Sequence, residues 1–123
     1  MADEITVVTG LAVSVGGASD EMPTKRLQFD ITGDQMIHHV IATSDTETAL
    51  DIGGLSATGL GWLHLKNLSS TAGEYIDFGT TGALVFRLGP GEEQVLKLIP
   101  TVALVWDAAA GKTPLLEYFL TEA

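Results

Sequence analysis

Alternation of apolar and polar side chains on every second residue runs through most of this chain, and it constrains the fold more than any other feature. A repeat of two puts successive side chains on opposite faces of a strand, whereas a helix needs apolar residues three and four apart. Ile5, Val7, Thr9, Leu11, Val13 and Val15 occupy alternate positions. So do Leu27, Phe29 and Ile31, then Leu63 and Leu65, Ile76 and Phe78, the row Leu84, Phe86 and Leu88, and the row Leu116, Tyr118 and Leu120. Each row is expected to face a core. Trp62, His64, Lys66, Tyr75 and Asp77 fall on the opposite side of their strands.

Turn residues divide these rows. Gly10 marks a bend in the first one, and GGASDEMP, from Gly16 to Pro23, reads as a loop. QMIHHVIAT, from Gln35 to Thr43, is apolar on both faces apart from two histidines, as a central strand would be. A short strand is expected around Ala49 to Ile52. The stretch from Gly61 to Gly79 reads as two strands joined by the small polar segment NLSSTAG. In GPGEE, Pro90 presets φ and Gly91 can take a positive one. Pro100 separates QVLKLI from TVALVWD, and DAAAGK is too short for more than one helical turn. Roughly nine or ten short strands at about ten-residue spacing predict an all-β fold, an antiparallel two-sheet sandwich of jelly-roll-like design. At 123 residues the chain reads as one sandwich domain over 1–123, with residues 1–9 either an extended N-terminal arm or the start of the first strand.

The chain carries 16 acidic against 6 basic residues, a net charge of −10, and only Lys25-Arg26 place two cations side by side. Nucleic acid and anionic membranes are therefore not expected partners. A hydrophobic share of 46% belongs to a packed globule, not to a solvated acidic tail. There is no cysteine, which removes disulfides and thiolate metal sites. The Met-Ala-Asp-Glu start lacks a basic stretch followed by an apolar one, so no signal peptide is expected, and no apolar run approaches the ~20 residues of a membrane helix.

Motifs that carry chemistry are sparse. His38 and His39 are adjacent in a predicted strand, so they point to opposite faces and cannot share a metal ion. Asp45, Glu47 and Asp51 form an acidic loop without the ligand spacing of an EF-hand, and solvated carboxylates are the simpler reading. No serine lies in G-x-S-x-G, and GLSATGLG follows no βα pattern. No catalytic residue, cofactor or metal is expected, and no enzymatic activity. Trp62 and Tyr75 would flank one hairpin on its outer face near Lys66, a pair suited to stacking on a sugar or a protein unless a second sheet covers them. Trp106 reads as core.

The segment beginning LDIGGLSATGLGWLHLKNLSSTAGEYIDFG, continuing through FRLGPGEEQVLKL and ending LLEYFLTEA resembles small β-sandwich virion proteins of tailed bacteriophages. The matching residues are Gly54-Leu55, Lys66-Asn67-Leu68, Tyr75 to Gly79, Leu88 to Glu92, and Leu116 to Leu120. The resemblance implies a structural role on the capsid exterior. The protein would be a decoration, or cement, protein that binds the major capsid protein; the alternatives are a carbohydrate-binding module and a part associated with the tail or a head fibre. Self-association, as a homotrimer, is expected because a sandwich of many short strands leaves edges to be paired or covered, and TVALVWDA, apolar on both faces, calls for cover from a sheet or a neighbour. In the attaching-arm reading of residues 1–9, Ile5, Val7 and Val8 would add a strand to the shell while Asp3 and Glu4 pair with its cations.

Overall fold

The computed structural model of the chain describes residues 3–31, 33, 35–102 and 104–123, with Asp3 and Glu4 described in their backbone alone. Among these residues there are ten strands and no helix. The chain divides into two compact units, Met1–Thr32 and Gly33–Ala123. One sandwich over 1–123 was expected; the sandwich belongs to the second unit.

The first unit is a β-hairpin. Strand β1 (Asp3–Val15) pairs antiparallel with β2 (Ala18–Ile31) from Asp3↔Ile31 to Val15↔Ala18. Gly16 and Gly17 join them with φ of 57° and 84°, the two positive angles that a type I′ turn requires. The expected loop from Gly16 to Pro23 therefore shrinks to two residues. The register shifts between Thr9 and Leu11, where Gly10 lies opposite Pro23 and Thr24. A Cβ on Gly10 would come within 2.9 Å of Thr24 Oγ1 and 3.2 Å of its Cα, so glycine suits this irregularity. Proline is tolerated there because a bulge releases one residue from the ladder. Of residues 1–9, Asp3 to Thr9 form one side of this hairpin and belong to neither sheet of the sandwich, while the first two lie outside the described residues.

The second unit is a jelly roll. Its strands are β3 (Met36–Ala42), β4 (Thr48–Ala49), β5 (Leu60–Asn67), β6 (Ile76–Thr80), β7 (Ala83–Leu88), β8 (Glu93–Lys97), β9 (Val105–Ala108) and β10 (Leu115–Glu122). One sheet has the order β3-β10-β5-β8 and the other β4-β9-β6-β7. Every connection but that between β6 and β7 crosses from one sheet to the other, which is the double Greek key of a jelly roll. The core between the sheets is built from the alternating rows. Leu63, Leu65, Leu116, Tyr118 and Leu120 come from the first sheet, and Ile76, Phe78, Leu88 and Trp106 from the second, with Leu50, Leu55, Leu60 and Leu104 closing the ends.

Several expectations change in this topology. Strands β5 and β6 read as a hairpin in the sequence, yet they lie in different sheets. Strand β3 pairs with β10 alone and is an edge strand, which is why Met36 and Val40 can remain exposed. In the row Leu84, Phe86 and Leu88, only Leu88 is fully buried. A bulge at Phe78/Gly79 on this edge turns Leu84 outward, and Gly79 permits it, since a Cβ there would stand 2.3 Å from the Ala83 carbonyl oxygen. Part of the TVALVWDA run finds its cover within the chain itself. Strand β9 is interior to its sheet, and Leu104, Val105, Trp106 and Ala108 are buried.

Candidate interaction surface

The outer face of the β3-β10-β5-β8 sheet presents outward side chains from four strands. Its register aligns them in rows across four strands. His38, Phe119, His64 and Val95 form one row, and Val40, Glu117, Lys66 and Glu93 the next. Met36, Thr121, Trp62 and Lys97 make up a third, with Met36 and Trp62 at alternate positions on their strands. Met36, Val40, Val95, Leu115 and Phe119 are exposed large apolar side chains on this sheet.

The polar groups of this face are arranged around Phe119. His38 stacks on the ring with centroids 3.8 Å apart and planes 8° from parallel, and its Nε2 meets Glu117 Oε2 at 2.8 Å. His64 approaches Phe119 from the other side at 6.4 Å and lies 3.9 Å from Glu93, which also faces Lys66 at 3.8 Å. Glu117, Lys66 and Glu93 alternate in sign along their row, while the apolar rings and branches beside them stay open. A mixed face of this kind can dock on another surface.

The two adjacent histidines do point to opposite faces. His39 turns inward, where its Nδ1 lies 3.1 Å from the Tyr118 hydroxyl. That hydroxyl donates to the Asp51 carbonyl oxygen at 2.6 Å, so the histidine contact works with Nδ1 carrying the proton. Tyr118 is fully buried, and its pKa is pushed up to about 12, first by burial and then by the nearby Asp51 carboxylate. In the unfolded chain the same phenol ionises near 10. Between about pH 10 and pH 12 the unfolded state therefore loses a proton that the native state keeps, and native stability falls as pH rises. The expected loss is roughly 2–3 kcal/mol across that window. Denaturant melts at pH 9 and pH 11.5 check it, and Tyr118→Phe should flatten this part of the slope.

Trp62 and Tyr75 do not form a pair. Trp62 is half-buried on β5, while Tyr75 precedes β6 in the other sheet. There the Arg87 guanidinium stacks 3.5 Å from the Tyr75 ring centroid and makes a two-pronged contact with Asp77 at 2.7 and 3.1 Å. Asp77 also raises the Arg87 pKa. The face of Tyr75 offered to a sugar in the sequence reading is taken by this cation. Ile5, Val7 and Val8 lie on the hairpin strand β1, with Val7 buried and Val8 exposed. The side chains of Asp3 and Glu4 lie outside the described residues.

The acidic loop serves the backbone. Asp45 accepts the Gly111 N–H, Glu47 the Gly82 N–H and Asp51 the Gly53 N–H, each at 2.8 to 2.9 Å. All three glycines have positive φ, so these carboxylates hold turns in their left-handed geometry. Among the described residues no three histidine, aspartate or glutamate side chains converge as a metal site would require.

A scan of protein-family models finds no match to this chain, and no curated protein matches it.

Proposed function

We propose that this chain is a structural virion protein of a tailed bacteriophage, a decoration protein that docks on the outside of the capsid by contacting the major capsid protein. The observation that carries the reading is the resemblance running from Leu50 to the end of the chain, all of it within the jelly roll. The elements that resemble phage virion proteins are those that hold the sheets together. Asn67 is the buried end of β5, Gly89 to Glu92 is the turn from one sheet to the other, and Leu116 to Leu120 is the core row of β10.

The physics of docking fits the available surface. DNA packed in a head presses outward, and a rigid sandwich bridging neighbouring capsomers resists that pressure through contact area alone. The outer face of β3-β10-β5-β8 offers exposed apolar groups interleaved with charged ones, and the chain's −10 net charge would attract basic patches on a shell while repelling released DNA. Binding of purified protein to heads that lack it, viewed by electron cryomicroscopy, tests the reading. Density at lattice positions on the shell is the expected result. Attachment should weaken as ionic strength rises from about 0.1 M to about 1 M, because the Debye length shortens from ~10 to ~3 Å. Density confined to a tail or a fibre would overturn the capsid assignment. The carbohydrate-binding alternative loses its main support in the separation of Trp62 from Tyr75.

A further inference from the structure

Strand β8 is an open edge of its sheet. It pairs with β5 alone, and Glu93, Gln94, Val95 and Lys97 are exposed along it. The hydrogen bonds at its two ends fix which way its backbone points. The Asn67 N–H reaches the Glu92 carbonyl at 3.0 Å, and the Leu98 N–H reaches the Gly61 carbonyl at 2.9 Å. Backbone groups along an antiparallel strand face alternate sides, so the even-numbered residues from Glu92 to Leu98 bond to β5. Glu93, Val95 and Lys97 therefore turn their N–H and C=O groups to the open side. At Val95 the exposed side-chain amide of Gln94 folds back and donates to that carbonyl at 3.2 Å. The same three residues carry their side chains on the outer face, opposite Lys66, His64 and Trp62 in the register.

We infer that this edge binds the β8 edge of a second copy of the chain, antiparallel and about a two-fold axis at Val95. In that register Val95 faces Val95, and Glu93 of each copy faces Lys97 of the other. Every outward N–H and C=O of the three residues then meets a counterpart, with the Gln94 amide giving way to a backbone donor. The charges select this occupant. Charge on an edge strand ordinarily deters pairing with other strands. Here opposite signs stand at equal spacing on either side of Val95, so the charges that deter a foreign strand attract a copy. A register shifted by two residues would set Glu93 or Lys97 against valine and shorten the ladder. Glu93 has only loose contacts within its own chain, at 3.8 Å to Lys66 and 3.9 Å to His64, and among the described residues no carboxylate pairs with Lys97. The other long edges of the jelly roll lack this symmetry. Strand β3 carries only histidines, with His38 held by Glu117, and β7 carries only Arg87, held by Asp77. A self-complementary edge is what two-fold association requires. It would also continue the row of His38, Phe119, His64 and Val95 into the same row of the second copy. Pairing through five-residue strands buries less than the ~800 Å² per partner of a standard interface, so dimerisation should be reversible, with a dissociation constant on the order of micromolar.

Sedimentation equilibrium of the full chain, from about 1 to about 100 µM, is the test. A monomer–dimer equilibrium is expected. Val95→Pro should abolish it, because proline removes the N–H at the axis and none that β5 uses. Lys97→Glu alone and Glu93→Lys alone should each weaken self-association about tenfold or more, since like charges then oppose each other at both ends. Mixed in equal amounts, these two variants should associate with each other, because the all-acidic edge of one faces the all-basic edge of the other. The mixture keeps the test independent of any effect of proline on folding, and a thermal melt at the lowest concentration checks the fold of each variant. A monomer throughout the range, a trimer, a dimer that Val95→Pro leaves intact, or charge variants that stay apart when mixed would each overturn the inference.

Discussion

Asn67→Asp is expected to destabilise the jelly roll by more than about 3 kcal/mol at neutral pH, although it replaces one nitrogen with one oxygen. Asn67 is fully buried at the end of β5. Its Nδ2 donates to the Glu74 carbonyl at 2.8 Å and the Leu88 carbonyl at 3.2 Å, and its Oδ1 accepts the Ser69 N–H at 3.0 Å. Its backbone completes the joint, since its N–H reaches the Glu92 carbonyl and its carbonyl accepts the Gly91 N–H, both at 3.0 Å. One amide thereby ties together the end of β5, the 68–75 connection and the turn that carries the chain from β7 to β8. The aspartate would set a buried negative charge against two carbonyl oxygens and leave both without a donor. Equilibrium denaturation at pH 7 measures the loss, and the gap to the native chain should narrow as the new carboxyl protonates in acid. A loss under about 1 kcal/mol would mean that this joint does not hold the turn.

Phe78→Ala should cost about 3–5 kcal/mol, and Phe86→Ala clearly less. The two rings stack with centroids 5.2 Å apart, but they occupy different places in the sandwich. Phe78 is fully buried on β6, flanked in its sheet by Trp106 on one side and Phe86 on the other. Phe86 is half-buried on the edge strand β7, so its removal opens a gap that water can reach instead of a closed cavity. Chemical denaturation of both variants gives the order directly. Equal losses would place Phe86 as deep as the alternation alone suggested.

Period-two patterning settled which way side chains point, because that follows from strand geometry without knowledge of partners. Leu63, Leu65, Ile76, Phe78, Leu116, Tyr118 and Leu120 were all legible as core, and all are buried. Partners were less legible. Alternation is identical for two strands of one hairpin and for two strands in facing sheets, so β5 and β6 looked paired, and Trp62 and Tyr75 looked adjacent. What separates them is the Asn67 joint, whose acceptors at Glu74 and Leu88 become neighbours only after folding. The hairpin turn has a signal in the sequence, though a partly hidden one. Gly16-Gly17 between alternating rows is a two-residue turn signal, obscured by the polar run Ala18 to Glu21 that reads as loop. The row of His38, Phe119 and His64 could not be read at all, because it joins three strands far apart in sequence. The TVALVWDA run leaves open whether a sheet or a neighbour covers it, and for Leu104, Val105, Trp106 and Ala108 the cover lies within the chain.

The separation of the hairpin from the jelly-roll core has a consequence for how the chain tolerates change. Every member of the jelly roll's buried cluster lies between Leu50 and Leu120, and none is on β1 or β2. A saturation survey scored by folding alone should therefore show two regimes, a permissive stretch over the hairpin and a strict one over the alternating rows beyond it. A lineage carrying such a chain could change the hairpin's surface while the sandwich stays as it is, since the residues that keep the sandwich folded lie elsewhere in the sequence.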